Sequence, residues 1–191
     1  LCEEFSEQKM EYLKQIAVDA IEKSLDGAVF MAPESSDNLE NNKDIGVAVR
    51  LRTTQNDRGC LALYCGVKDL EQAVKYCAYE ATKDPRYSKM SKNEIDDLFI
   101  NISIFSNWNK IDDCKDFIPG FNSLIVDNPN AISPDLSRTL LQSTIASEYN
   151  YDVTDFLQRI CRKAKLSEDD WKKNCLVFYK SDTIFLTAKT K

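Results

Sequence analysis

The sequence predicts an α+β fold, and three observations lead to this prediction. Helical and strand periodicities are mixed along the 191 residues. Adjacent strand patterns are joined by short turns, and no long run of β-α-β units is present. The apolar fraction of 43%, with five Gly and five Pro, is typical of an ordinary globular protein. This length allows one domain with a sizeable core, or two small lobes that share one.

The start of the chain predicts a helix followed by a loop. Residues 6–25 place apolar side chains on one helical face, with Ser6 as the N-cap and Gly27 as a stop signal. A short apolar run then ends at Pro33. Residues 34–44 are polar and rich in asparagine, which predicts a mobile surface loop.

A hairpin and a second helix come next. Residues 45–52 alternate with period two, which predicts a strand with one buried face. Turn residues 53–57 connect it to a second strand over residues 58–66. The following helix begins at Asp69, and Asp84-Pro85 ends it, because the residue before a proline is pushed out of helical geometry.

The remaining patterns predict further short elements of both kinds. A capped helix over residues 91–98 comes first, followed by a strand over 99–105 and a polar loop or short helical turn over 107–118. Next come a strand over 121–126, a turn over 127–130 and an ambiguous strand or helix over 138–146. The chain closes with a helix after Asp152, a short helix from Ser167 through Trp171, and two strands, 175–180 and 183–188, about a Ser181-Asp182 turn.

The charge distribution bears on possible partners. The net charge of −6 argues against general affinity for phosphate backbones or anionic lipid, so we expect neither nucleic acid nor membrane as a partner. Residues 158–191 nevertheless contain nine Lys or Arg and four acidic residues, so a local basic surface is possible. The sequence leaves the oligomeric state open.

The cysteines and the absence of histidine restrict the chemistry. Seven scattered cysteines, an odd number without a C-x-x-C pair, predict reduced thiols. The chain has no histidine, which excludes Ser-His and Cys-His catalytic pairs and histidine metal sites. We predict no metal and no cofactor. No apolar run is long enough to cross a bilayer, so we expect a soluble intracellular protein, cytoplasmic or nuclear.

Residues 57–87 form the segment most like a functional site. The segment opens with Asp57-Arg58-Gly59-Cys60 on a strand and closes with Asp84-Pro85-Arg86-Tyr87 after a helix. A helix that runs back along the sheet returns its end toward the start of the strand. We therefore expect Arg58, Cys60, Asp84 and Arg86 to lie near one concave surface between the two lobes.

With these segments placed, the chain resembles the AMMECR-one domain family over nearly its whole length. Arg58-Gly59-Cys60 matches the family's Leu-Arg-Gly-Cys signature, and Asp84-Pro85-Arg86-Tyr87 matches its Asp-Pro-Arg-aromatic element. Further matches lie at Tyr76 to Ala81, Glu94, Leu98, Ile102 to Ser106, Phe156-Leu157, Cys161 to Ala164, Leu166 and Trp171. The chain departs from the family pattern at Asp57, Ala62, Ser143-Thr144 and Lys165.

The resemblance implies one domain over residues 1–191, made of two lobes with mostly antiparallel sheet and flanking helices. It also implies a link to Memo-type proteins and radical S-adenosylmethionine enzymes, without defining a reaction. We expect a binding or adaptor module with an anion-accepting cleft near Arg58-Gly59-Cys60. Its partner would be a protein or a small anionic ligand. An enzyme or enzyme subunit, and a nucleic-acid-associated protein, are the alternatives.

Each candidate ligand-binding residue, Arg58, Gly59, Cys60, Asp84 and Arg86, also has a structural interpretation. For Cys60, the candidate nucleophile, the favoured interpretation is a small buried strand residue. Arg58 could hold an anion, or it could pair with Asp57 or Asp84. Asp84 and Arg86 could simply end the helix.

Overall fold

The computed structural model describes residues 6–39, 45–131, 133, 137–173 and 175–190. It confirms the α+β class. The elements are, in chain order, α1 (Glu7–Leu25), β1 (Gly46–Arg52), β2 (Asp57–Leu63), α2 (Leu70–Ala81), a 3₁₀ helix (Lys92–Asp97), β3 (Phe99–Ile111), β4 (Asn122–Asp127), β5 (Arg138–Leu141), α3 (Thr144–Tyr149), α4 (Val153–Lys163), another 3₁₀ helix (Asp170–Lys172) and β6 (Val177–Lys189).

The six strands form one sheet in the order β2-β1-β3-β6-β4-β5, so β2 and β5 are its edge strands. The pairs β1 with β2, β4 with β5 and β4 with β6 are antiparallel. The chain divides into two compact units. Unit 1 comprises residues 1–37, 44–104 and 185–191, and unit 2 comprises residues 38–43 and 105–184.

Unit 1 is built from two capped helices and the β1-β2 hairpin. Ser6 Oγ accepts from the Lys9 amide to begin α1, and Asp69 accepts from the Gln72 amide to begin α2. Helix α2 packs on α1 and on both hairpin strands. The core between these elements includes Leu13, Ile16, Ile21, Val47, Val49, Leu51, Val74 and Cys77.

Unit 2 has its own core, which α4 covers. Asp152 and Asp155 form a reciprocal capping box at the start of α4. The apolar stripe of the helix then packs against strands β4 and β5. This core contains Phe117, Leu124, Val126, Leu141, Phe156, Leu157, Ile160, Trp171 and Phe178.

Several sequence predictions need correction. Strand β1 is buried on both faces, whereas one buried face was predicted. Strand β3 continues through residues predicted as loop, and ends at Ile111. The two predicted C-terminal strands are one strand, β6, with Ser181 buried inside it. The ambiguous residues 138–146 contain both possibilities, a strand to Leu141 and a helix from Thr144.

The predicted mobile loop, residues 34–44, is described only in part. Its residues 40–44 lie outside the described residues. Within the described part, Ser36 forms an antiparallel bridge with Cys65, and Leu39 is buried. Among the described residues no helix is long and apolar enough to span a bilayer.

Candidate functional site

The predicted site residues lie in unit 1, along the free edge of strand β2. The segment 84–88, which follows α2, runs beside this edge and is attached to it at two points. The amide of Cys60 donates to Asp84 Oδ2 at 3.0 Å, and Arg58 Nη2 donates to the backbone carbonyl of Ser88 at 3.2 Å. The segment therefore satisfies one backbone amide that the edge strand would otherwise leave open, that of Cys60.

Asp84 is the centre of this arrangement. Its side chain is only 5% exposed. Besides the Cys60 amide, it accepts from the Arg86 amide at 3.1 Å and from Arg86 Nε at 2.9 Å. Burial alone would raise the pKa of Asp84, but the donors from Arg86 and from Cys60 outweigh it, and the pKa lies below its ordinary value. Asp84 is therefore a fixed anion.

Arg86 is held by this carboxylate but remains on the surface. Its side chain is 57% exposed, and Asp84 raises its pKa further. Nε and Nη2 both face Asp84, whereas Nη1 donates to no acceptor among the described residues. The guanidinium carbon lies 5.5 Å from the centre of the Tyr87 ring. One edge of a fixed guanidinium thus stays open to solvent.

Arg58 pairs with neither Asp57 nor Asp84, the two partners that the sequence suggested. Its Nε donates to Glu94 Oε2 at 2.6 Å and its Nη2 donates to Glu94 Oε1 at 3.1 Å, which is a bidentate pair. Nη1 and Nη2 also reach Ser88. The side chain is only 12% exposed. Arg58 therefore connects strand β2, Ser88 and the 3₁₀ helix that carries Glu94.

Gly59 permits the end of α2 to approach β2. A Cβ atom at this position would lie 1.8 Å from the Ala81 carbonyl oxygen and 3.1 Å from Asp84 Cβ. No side chain fits there without movement of the backbone. The glycine thus serves the close packing of helix on strand, and it brings Asp84 within reach of the Cys60 amide.

Cys60 is a free thiol and is partly buried. It pairs with Arg50 across the hairpin. A thiol nucleophile needs a proton acceptor. The carboxylate that accepts from the Cys60 amide, Asp84, is already bound to Arg86 and has a lowered pKa, so it is a weak base. The chain contains no histidine that could replace it.

The sequence interpretation missed Arg50. This residue is 7% exposed, and its Nη2 lies 2.7 Å from Asp57 Oδ1. The ion pair closes the hairpin loop and also lies near Tyr87, whose pKa burial and Asp57 both raise. The signal was present in the sequence, since Arg50 lies on the strand before the predicted turn and Asp57, of opposite charge, is the last residue of that turn.

No group of three or more Cys, Asp or Glu side chains in the described part of the chain is arranged to hold a metal ion. The site contains three arginines on or beside the β1-β2 hairpin. Arg58, Arg50 and Arg86 each have a carboxylate partner.

Comparison with known proteins gives consistent results. A solved structure, the uncharacterized protein PH0010 from Pyrococcus horikoshii, superimposes with a TM-score of 0.76 at 24% identity, over 94% of this chain and 91% of that one. It shares the fold.

Proteins of Methanocella arvoryzae and Methanosarcina barkeri are 29% and 30% identical, over 66% and 69% of this chain. The match covers about two thirds of their length, 65% in both cases. The AMMECR1 family profile matches residues 14–184, which include the whole β2 edge and the 84–88 segment. The chain therefore belongs to the AMMECR1 family.

Proposed function

We propose that the chain is a binding module which receives an acidic group of its partner at Arg86. In this proposal Gly59, Cys60, Asp84 and Arg58 hold the 84–88 segment in place. The observation that carries the proposal is the state of Arg86. Its guanidinium is fixed by a buried carboxylate, yet its side chain is 57% exposed.

A fixed and exposed arginine suits recognition for two physical reasons. Ordering a long side chain at an interface costs roughly 0.5–1.5 kcal/mol, and Asp84 has already met that cost for Arg86. The planar guanidinium can also donate from its free Nη1 edge to a carboxylate or phosphate. Tyr87 lies beside it, and arginine with tyrosine is a frequent combination at binding hot spots.

The same geometry gives less support to the enzyme alternative. General base catalysis requires an acceptor whose pKa is near the working pH. Asp84 accepts from the Cys60 amide and Glu94 accepts from Arg58, and both carboxylates have a pKa below the ordinary value. Burial alone would raise each pKa, but the hydrogen-bond donors, which include Arg86 for Asp84 and Arg58 for Glu94, outweigh it. Neither is free to activate Cys60.

Side-chain NMR of protein labelled with ¹⁵N-arginine tests the proposal. N-acetyl-aspartate amide and inorganic phosphate serve as probes, and the Nε–H resonances of individual arginines report contact. We expect the Arg86 resonance to move and to saturate with at least one probe. Arg58 should stay unchanged, because Glu94 and Ser88 already occupy its guanidinium.

Arg162 is the matched control, because it is also an exposed arginine with a carboxylate partner, Glu168 at 2.7 Å. Arg86→Gln should abolish the saturable shift, whereas Arg162→Gln should leave it intact. The proposal fails if neither probe moves Arg86. It also fails if Arg162 responds as strongly, since that result would indicate non-specific charge attraction.

A further inference from the structure

Unit 2 contains a separate cleft of about 530 Å³. The end of β3, the 3₁₀ helix Asp170–Lys172 and the start of β6 all contribute to it. Ile111, Leu176 and Phe178 supply apolar lining. Cys114, Lys115 and Trp171 also line the cleft. None of the five predicted site residues belongs to it.

Trp171, which lines the cleft, has an unsatisfied polar atom. The residue is 8% exposed, and its indole Nε1 is buried with no hydrogen-bond acceptor among the described residues. An unpaired buried donor costs about 1–3 kcal/mol. A ligand with an acceptor atom that reaches this N–H would remove the cost.

Lys115 supplies a positive charge next to the same ring. Its Nζ lies 5.3 Å from the centre of the Trp171 ring. The side chain of Lys115 forms no ion pair with any described residue, and its backbone amide donates to Asp113 Oδ1. The Lys115 ammonium is therefore available to an anion.

The other charged groups of the cleft compete little with Lys115. Lys172 and Lys173 are paired with Asp169 at 2.7 Å and with Asp170 at 2.6 Å. Asp112 and Asp113 are exposed members of the lining and would repel an anion at the rim. Water screens such exposed carboxylates, and one of them already accepts the Lys115 amide.

We propose that this cleft binds a small organic anion. The apolar body of the ligand lies against Ile111, Leu176 and Phe178. Its carboxylate or phosphate accepts from the Trp171 indole N–H and pairs with the Lys115 ammonium. The ammonium lies beside the ring that carries the N–H, so a head group that pairs with Lys115 is next to the Trp171 indole. Apolar walls with a few converging polar groups are typical of small-molecule sites.

The test follows the indole N–H resonance of Trp171 during titration. The chain has two tryptophans, and triple-resonance assignment separates Trp171 from Trp108 without a variant. Phenylacetate and phenyl phosphate are the probes, and they distinguish a carboxylate from a phosphate head. Benzyl alcohol is the neutral control. We expect a saturable shift of Trp171 with at least one anion, no comparable shift of Trp108, and weaker binding of the alcohol.

Lys115→Met should weaken the binding of the anion about tenfold, as expected for loss of a charged partner. Lys9→Met is the matched control, because Lys9 Nζ lies at the same 5.3 Å distance over the Tyr12 ring, and Lys9 belongs to unit 1 and does not line this cleft. The Lys9→Met variant should bind the anion with the affinity of the wild type. A Trp171 resonance that does not move, equal binding of benzyl alcohol, or an unchanged affinity in Lys115→Met would each overturn the proposal.

Discussion

At the residue scale, Asp84 has the largest influence on the candidate site. It is a buried carboxylate that joins strand β2, through the Cys60 amide, to the exposed Arg86. Hydrogen bonds to a buried charge contribute more than neutral ones, about 1.5–3 kcal/mol. Replacement of the carboxylate should therefore affect both the stability of unit 1 and the position of Arg86.

Asp84→Asn should lower the free energy of unfolding by about 2 kcal/mol at pH 7. The folded pKa of Asp84 is lowered, so its contribution is fully present above the unfolded pKa, roughly 4, and is lost as the pH falls through the folded value. The difference in the free energy of unfolding between wild type and variant should therefore stay constant from pH 5 to 8 and shrink below about pH 4. Urea unfolding across this range measures it.

The control for this measurement is Asp116→Asn. Asp116 pairs with Lys180 at 3.0 Å, but its side chain is 69% exposed. Exposed pairs of this kind contribute about 0–1 kcal/mol, so this variant should differ little from the wild type at any pH. A loss in Asp116→Asn equal to that in Asp84→Asn would mean that burial of the carboxylate is not the cause.

At the element scale, the contact between α2 and β2 depends on a single missing side chain. Gly59→Ala should lower the free energy of unfolding by about 3 kcal/mol, because the new methyl group meets the Ala81 carbonyl, a backbone atom that cannot rotate away. Gly27→Ala is the comparison. There a methyl group meets nothing within 4 Å, and only its φ of +90° costs energy, about 1 kcal/mol.

Chemical denaturation of the two variants, monitored by circular dichroism, separates these costs. Equal losses in Gly59→Ala and Gly27→Ala would contradict the steric explanation. A fall in the Arg86 probe affinity that accompanies the loss of stability in Gly59→Ala would link the same contact to the proposed binding site.

The elements that the sequence predicted well have strong local signals, and the errors have a physical cause. Caps and apolar stripes located α1 and α2 correctly. Strand β6 was divided in two because Ser181-Asp182 is a turn signal. In the sheet, Asn122 on β4 donates to the Ser181 carbonyl at 3.2 Å, and Thr183 donates to Ser123 at 2.8 Å. Because these hydrogen bonds join Ser181 and Thr183 to β4, β6 continues through the two residues that the sequence predicted as a turn.

In the candidate site, too, contacts that follow from local order were predictable and contacts between residues distant in sequence were not. The return of α2 along the hairpin was predictable, and the contact of Asp84 with the Cys60 amide is consistent with it. The partner of Arg58 was not predictable, because Glu94 is 36 residues away. Glu94 also forms a local capping box with Ser91. The structure shows that Glu94 has both roles at once.

At the scale of the whole molecule, the thiols should differ strongly in reactivity. The described cysteines are all free, with Cys175 exposed and Cys65, Cys77 and Cys161 buried, while Cys2 lies outside the described residues. Burial raises the pKa of Cys161 to about 11 and raises that of Cys77 further. The thiolate is the reactive form, so both should resist alkylation.

Iodoacetamide at pH 8 without denaturant should therefore modify Cys175 first, and Cys77 and Cys161 only after unfolding. Peptide mass spectrometry over time gives the order. Labelling of Cys77 as fast as Cys175 would contradict the described burial. An intact mass that shows a disulfide without reductant would contradict the prediction of reduced thiols.

Four of the nine basic residues in the range 158–191 are paired with carboxylates at short distance. Ion pairs of 3.0 Å or less join Arg162 to Glu168, Lys172 to Asp169, Lys173 to Asp170 and Lys180 to Asp116. We therefore expect only weak, non-specific binding of labelled RNA and DNA at near-physiological salt. Sub-micromolar binding that is selective for sequence and lost in a double Arg162→Gln, Lys163→Gln variant would contradict this.

Unit 1 is discontinuous in the chain, and this has a consequence for biosynthesis. The Thr190 amide donates to the Leu98 carbonyl at 3.0 Å, and residues 185–191 belong to the same unit as α1 and the hairpin. During translation the helices and the hairpin emerge long before this last strand segment does. A ribosome that stalls anywhere before residue 185 therefore holds a nascent chain whose first unit is unfinished, with the side of β3 that β6 covers open to chaperones.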